Sequence, residues 1–232
     1  MTDFLGFNST ELQAIVLSLK VAVYCSLISL PMALWLGYKM ARYNFTGKSI
    51  IESMIHLPLV MPPVTTGYLL LLVLGSKGFI GHWLQSAFGL KISFTFYAAV
   101  IASVFVSFPL IVRSVRTAME MVDTGLEDAS RILGAGRIRT FARVTVPLAL
   151  PGIISGTILA FARSLGEFGA TITFAGNIEG ETQTLPLAIY AYMQVPGKES
   201  ATLRLVIVSI VISFIAMTLS EWFIKRIRHD KH

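Results

Sequence analysis

The sequence predicts an all-α membrane protein with about five transmembrane helices, its N-terminus outside and its C-terminus in the cytoplasm. Three observations carry this. Of the 232 residues 54% are hydrophobic and 14% charged, against about 25% charged in an ordinary soluble domain, and the mean hydropathy is +0.71. Apolar runs of spanning length recur along the whole chain. Lysines and arginines collect between those runs and alternate in density from one connection to the next. A net charge of +6 would suggest nucleic acid only if it formed a basic stripe on a soluble face. It does not, and the bilayer is the expected partner.

A helix rises 1.5 Å per residue, so crossing a core of roughly 30 Å takes about 20 apolar residues. Five segments qualify, approximately 12–38, 50–75, 94–113, 148–174 and 203–224, in one domain covering 1–232. Pro31, Pro58, Pro62, Pro63 and Pro109 fall inside them; such breaks are tolerated where neighbours or water satisfy the freed carbonyls. Leu185–Gln194 is apolar but about half a span, which predicts a re-entrant or interfacial helix. The first forty residues do not resemble a secretory signal. Asp3 and Glu11 stand where a basic region belongs, and the apolar run is too long.

Orientation follows from the basic residues. With the N-terminus outside, thirteen fall in the cytoplasm: Lys39, Arg42, Lys48, Arg113, Arg116, Arg131, Arg137, Arg139, Arg143, Lys225, Arg226, Arg228 and Lys231. Four fall outside, Lys77, Lys91, Lys198 and Arg204. A sixth span near 176–195 would reduce the bias to nine against eight. Trp222, before the basic tail, suits an interfacial anchor. Lys20, within the first span, can snorkel outward.

The connection between the third and fourth spans, approximately 120–147, is long and helical in pattern. Leu126, Ile132 and Leu133 suit a short amphipathic helix; Gly134 and Gly136 turn the chain; Ile138, Phe141, Ala142 and Val144 give a second short helix its apolar face, so a helix–turn–helix is expected on the cytoplasmic side. Pro147 and Pro151 are expected to open the next span. From periodicity alone this is equally a surface helix covering the bundle ends. The spacing is more informative: Asp128-Ala129-Ser130, three residues, Gly134, nine residues, then Val144-Thr145-Val146-Pro147. It resembles the signature loop of ABC-importer permeases, acid-Ala-Ala, three residues, Gly, nine residues, Ile-x-Leu-Pro. It departs by Asp for Glu, Ser for the second Ala, and Val for Ile and Leu. In that family the loop docks on a separate ATPase subunit, which implies coupling roles for Asp128, Ala129, Gly134, Gly136, Val144 and Pro147. No P-loop, G-x-x-x-x-G-K-[ST], is present; the resemblance therefore implies no cofactor on this chain, with ATP and Mg on the partner.

In the fourth span Gly152, Gly156, Ala160 and Ser164 recur every four residues, a small-residue ridge that lets a helix approach closely. It fits packing within the chain and a homodimer seam equally. Arg163 and Glu167, four apart, are expected on one helical face. A charge at membrane depth costs roughly 2.5–3.5 kcal/mol on insertion scales and usually pairs or faces water. The order Arg before Glu is the weaker one against the helix dipole. An internal salt bridge and a gate beside a translocation path both fit.

Ala162–Thr171, ARSLGEFGAT, and His56–Leu71, HLPLVMPPVTTGYLLL, are similar to the corresponding stretches of molybdate permease subunits. Sulfate and tungstate permeases carry similar Arg-Ser-x-Gly-Glu-Phe/Tyr-Gly segments. The resemblance covers nearly the whole chain. It implies an inner-membrane, multi-pass homodimeric permease working with two ATPase subunits and a periplasmic oxyanion-binding protein. The cargo implied is a tetrahedral oxyanion, molybdate first, with sulfate or tungstate as alternatives. Thr65, Thr66, Ser164, Thr171 and Thr173 can donate hydrogen bonds to anion oxygens, although such hydroxyls also bond helix carbonyls. Together with Arg163 and Glu167, Thr65, Thr66, Ser164 and Thr171 form the expected path or gate. The rival from another class is an ion-coupled secondary transporter relaying through Glu52, His56 and Glu167, but such folds often show internal repeats with paired broken helices, and none is evident. Glu52 and His56 read as a pair along one helix. The histidines have no metal-ligand spacing, and Cys25, the single cysteine, has no intrachain partner.

Overall fold

The computed structural model describes residues 6–229, so Asp3, Lys231 and His232 lie outside the described residues. Among these residues four helical stretches are long and apolar enough to cross a membrane: Ser9–Arg42, Phe96–Glu120, Arg137–Leu165 and Glu199–Phe223. A bent pair, Lys48–Val60 with Pro63–Leu74, is a fifth if taken as one span.

Helix α1, Ser9–Arg42, starts at a capping box in which Asn8 accepts from the Ser9 N–H at 2.7 Å and Glu11 accepts from the Asn8 N–H at 3.1 Å. Its 34 residues reach roughly 50 Å, well beyond a ~30 Å hydrocarbon core. Ala14, Ser18, Ala22, Cys25, Ser29, Ala33 and Gly37 form a buried stripe of small side chains at three- and four-residue steps. This stripe lets neighbouring backbones come close, so that a Cβ on Gly37 would lie 3.2 Å from the Arg116 nitrogen. As a result α1 contributes to all three buried clusters: Val21 in one, Ala33 in the second and Ala14 in the third.

The second expected span is broken. α2, Lys48–Val60, and α3, Pro63–Leu74, meet at 115°. Met61 and Pro62 each precede a proline and are held extended, at ψ 144° and 131°, because the following ring excludes the α region. Short α4, Phe79–Phe88, leads to α5, Phe96–Glu120, which packs along α1.

After α6, Thr124–Ile132, the chain enters a continuous helical stretch earlier than expected: α7, Arg137–Thr140, a π turn, Phe141–Thr145, and α8, Val146–Leu165. Pro147 and Pro151 do not start the span but lie inside it. Pro147 lacks the N–H that would continue the ladder, and the turn before it widens, with Val146 N–H donating to the Phe141 carbonyl. At the other end the span stops at Leu165. Gly166–Phe168 leave the helix, and α9, Gly169–Phe174, is a separate element. The half-length apolar segment is α10, Leu185–Met193, and α11, Glu199–His229, closes the chain.

The ridge on α8 faces α5. A Cβ on Gly156 would lie 2.7 Å from Ser114 Cβ, one on Gly152 would overlap Ala118 Cβ, and Ser114 donates to the Gly152 carbonyl at 2.9 Å. It is an intramolecular seam.

Candidate functional site

At one end of the bundle α6 is fastened to the spans by a buried carboxylate. Glu127 Oε1 accepts from Arg42 Nη2 at 2.9 Å, from Arg42 Nε at 3.1 Å and from Thr145 at 2.7 Å. Arg42 also donates to the Val122 carbonyl at 2.9 Å. The π turn aims Thr145 inward, where it is fully buried. A second link joins the Ser130 and Thr140 hydroxyls at 3.2 Å. Ser130 is one of the departures from the family spacing, and here its hydroxyl has a partner that alanine would lack. Sequence reasoning missed Glu127, Arg42 and Thr145. The available signal was an acid one residue before Asp128 and an arginine closing the first span.

With the polar side of α6 held down, the apolar residues at its end and just beyond the turn are left exposed. Ile132, Leu133 and Ile138 are 85–87% exposed and Leu126 is half exposed. The apolar side chains that a cover for the bundle ends would bury are exposed instead. Asp128 and Ala129 are exposed, and Asp128 pairs with Arg131 at 3.2 Å. Gly134 turns the chain in the left-handed region, φ +85°. Ala135 N–H bonds the Ser130 carbonyl and Gly134 N–H the Arg131 carbonyl, a Schellman close. Gly136 differs: it is extended, φ −68°, ψ 163°, with open space around it. The second limb of the turn is the start of the long α7–α8 stretch and not a second short helix. Val144 is half buried in the π turn and Pro147 exposed beyond it.

The second group lies where two spans break. Gly169 meets Pro63, a Cβ there falling 2.6 Å from the proline's Cβ, and Gly67 meets the Ala170 carbonyl at the same distance. The α2–α3 elbow and the α8–α9 break are therefore packed directly on each other. Arg163 Nη1 pairs with Glu167 Oε2 at 2.8 Å. The two do not share a helical face as expected, because Glu167 sits in the break. That position frees Oε1 to accept the Ala170 N–H at 2.9 Å and hold the first turn of α9. Glu167 is buried and Arg163 partly exposed.

Around this break the hydroxyls of Thr66 and Thr171 are buried without a protein hydrogen-bond partner, and the buried Ser164 hydroxyl has only the Cys25 thiol near it. The Cys25 Sγ lies 3.1 Å from Ser107 Oγ. Thr65 is exposed, and Thr173 bonds the Gly169 carbonyl within its own helix. Glu52 does not pair along α2 with His56. It crosses to Arg116 of α5, which also holds Glu120 at 2.7 Å.

A third buried carboxylate ties the opposite end. Glu11, besides capping α1, pairs with Arg204 of α11 at 2.9 Å. Thr10 and Tyr192 hydroxyls meet at 3.0 Å, and Ser18 accepts the Leu185 N–H at 2.6 Å, so α10 packs on this end of α1. Hence α10 and the starts of α1 and α11 share one end of the bundle, and α6 lies at the other.

Known proteins match this arrangement. The chain is 53% identical over 218 residues to the molybdenum transport system permease protein ModB of Haemophilus influenzae, covering 94% of this chain and 95% of that one. It is 40% identical over 203 residues to the putative molybdenum transport system permease protein YvgM of Bacillus subtilis, with 88% and 89% coverage. A probable sulfate transport system permease protein, cysT of Chlorokybus atmophyticus, is 36% identical, covering 81% of this chain and 65% of that one. Among solved structures, a bacterial ABC transporter involved in alginate import superposes with TM-score 0.75 at 15% identity, covering 96% of this chain and 81% of that one. An inward-facing MetNI methionine ABC transporter gives 0.74 at 14%, with 98% and 99% coverage. These structures share the fold. Residues 29–229 match the family described as binding-protein-dependent transport system inner membrane component, and with that match and the 53% identity the chain belongs to this family of inner-membrane permeases.

Proposed function

We propose that this chain is the transmembrane subunit of an ATP-driven importer of molybdate. The single observation that carries the cargo is the 53% identity to a molybdenum-system permease along nearly the whole chain, against 36% for the sulfate-system relative. Tungstate and sulfate share the tetrahedral oxyanion form, and sulfate is the second reading.

In this reading the chain is one domain over 1–232, with α6 and the basic connections in the cytoplasm and α10 outside. The thirteen-to-four distribution of basic residues supports that orientation. Two copies assemble with two ATPase subunits, which hold ATP and Mg, and receive the anion from a periplasmic binding protein. Asp128, Ala129, Gly134, Gly136, Val144 and Pro147 belong to the coupling segment. Its exposed Ile132 and Leu133 offer an apolar face to the ATPase, and its buried Glu127 clamp makes α6 move with α1 and α8. ATP closure draws the two α6 segments together and opens the path outward; hydrolysis opens it inward. Arg163, Ser164, Glu167, Thr171, Thr65 and Thr66 belong to the path or gate. Buried hydroxyls without protein partners suit passing contacts with anion oxygens, and the pairing of Arg163 with Glu167 at the break keeps that cation from trapping a dianion.

The test is molybdate uptake into proteoliposomes holding the chain, its ATPase and a binding protein. ATP-dependent uptake that sulfate competes against poorly is the expected result. Uptake driven by an ion gradient without ATP overturns the reading in favour of a secondary transporter, and preferential sulfate uptake replaces the cargo.

A further inference from the structure

We infer that the groove between the end of α1 and the start of α7 is a site for one anionic diacyl phospholipid, phosphatidylglycerol, from the leaflet at the α6 end. The groove has a volume of about 970 Å³ and is lined by Leu34, Trp35, Tyr38, Phe45, Ile51 and Phe141 among others, with Lys39 and Arg137 as its two charged residues and no acid. This is large for an apolar small-molecule site, which typically spans roughly 300–1,000 Å³. It lies beside the last turns of α1, a helix long and apolar enough to cross a membrane.

Charge argues for the headgroup. At this end of the bundle Arg42 is paired with Glu127, Arg131 with Asp128 and Glu127, and Arg116 with Glu52 and Glu120. Lys39 and Arg137, like Lys48, Arg113, Arg139 and Arg143, have no carboxylate partner among the described residues, and of these six only Lys39 and Arg137 line the groove. Lys39 is instead held 4.5 Å over the Trp35 ring, which keeps its ammonium at the rim. Tyr38 packs edge-on to Phe141 at 4.8 Å and stiffens the floor. Aromatic rings and lysines at the end of a span mark the bilayer interface, and basic pockets between transmembrane helices at that depth take phospholipid headgroups. Two unpaired cations above an apolar cleft fit a phosphate carrying two acyl chains. They do not fit a neutral apolar molecule, which would leave both charges unused. The inference goes beyond the transport reading and stands whichever side of the membrane the α6 end faces.

The experiment uses the full-length chain in nanodiscs of equimolar phosphatidylglycerol and phosphatidylethanolamine, with retained lipid counted by native mass spectrometry. The expected result is a preference of about thirtyfold for phosphatidylglycerol, as two cations each contributing about 1 kcal/mol at the surface would give. Lys39→Gln with Arg137→Gln abolishes the preference, and Lys39→Arg with Arg137→Lys keeps it. Equal retention of both lipids by the wild-type chain, or an unchanged preference in the glutamine variant, overturns the site. A photoactivatable phosphatidylglycerol on the wild-type chain supplies a measurement free of folding effects. Crosslinks at 34–51 and 137–141 are expected, and crosslinks confined elsewhere overturn it. The same reagent is applied to the complex with the ATPase; loss of crosslinking there, with the ATPase crosslinked to a cysteine placed at Ile51, assigns the groove to the protein partner and overturns the lipid.

Discussion

Glu127 and Arg42, 85 residues apart in sequence, meet at 2.9 Å at the end of the bundle where the short helix α6 crosses the spans. Both side chains are largely buried. The carboxylate also takes the Thr145 hydroxyl, so one group joins α1, α6 and the π turn that leads into α8. Breaking a buried pair by removing one partner costs about 3–5 kcal/mol, whereas replacing both with apolar side chains is often near neutral. Glu127→Ala should therefore lower the thermal midpoint of the purified chain markedly and abolish ATP-driven uptake. Arg42→Met with Glu127→Leu should recover much of the thermal midpoint but less of the uptake. Equal recovery of both would show that rigid attachment of α6 is a matter of folding alone.

The two glycines of the turn should separate. Gly134 is at φ +85° and Gly136 is extended. A non-glycine residue in the left-handed region costs roughly 1–2 kcal/mol, and proline cannot reach it. Gly134→Pro should insert normally and uncouple uptake from ATP hydrolysis, Gly134→Ala should reduce uptake, and Gly136→Ala should behave as wild type. Normal uptake by vesicles carrying Gly134→Pro would remove this turn from the coupling mechanism.

For Arg163 and Glu167 the structure sharpens the comparison, because Glu167 also caps α9. Glutamine keeps an acceptor for the Ala170 N–H, while leucine does not. Arg163→Met with Glu167→Gln should assemble at near wild-type yield; Arg163→Met with Glu167→Leu should assemble poorly. Uptake by the first variant, matched for assembled complex, distinguishes the roles. ATP-dependent uptake close to wild type would make the pair structural, and low or ATP-independent uptake would make it part of the gate.

Contact between the two breaks depends on Gly67. Its Cβ position lies 2.6 Å from the Ala170 carbonyl oxygen and 2.8 Å from the Ala170 Cα. These are backbone atoms and cannot swing aside as a side chain does. Gly67→Val should separate α3 from α9 and destabilise the chain by about 1–3 kcal/mol, the usual range for overpacking. An unchanged midpoint in a thermal unfolding assay would show that the breaks are not packed on each other in the bilayer.

Cysteines at Arg139 and Lys198 test the orientation in a Cys25→Ala background. Cys25 itself is fully buried, so its removal takes away no accessible thiol. A membrane-impermeant reagent should label Lys198→Cys in intact cells and reach Arg139→Cys only after the inner face is exposed. Labelling of Arg139→Cys from outside would invert the topology.

The sequence by itself determined the membrane class, the approximate positions of the spans, the half-length helix at 185–193 and the family. Each of these rests on local composition or fixed spacing: twenty apolar residues cross a bilayer wherever they occur, and a loop signature is a run of neighbours. Only the tertiary structure decided how the spans end and what the charges do. Two prolines in a row could have been absorbed as a kink; contact with α9 makes them part of a 115° elbow. The ridge on α8 could have faced a second copy, and the Ser114 and Ala118 positions on α5 claim it instead. Glu127 pairs with a residue 85 positions away, and Glu52 with one 64 positions away. Periodicity reports only which residues share a helix face. The partner of a buried charge is set by which helices pack together, because a carboxylate removed from water must find whatever donor the fold brings within about 3 Å.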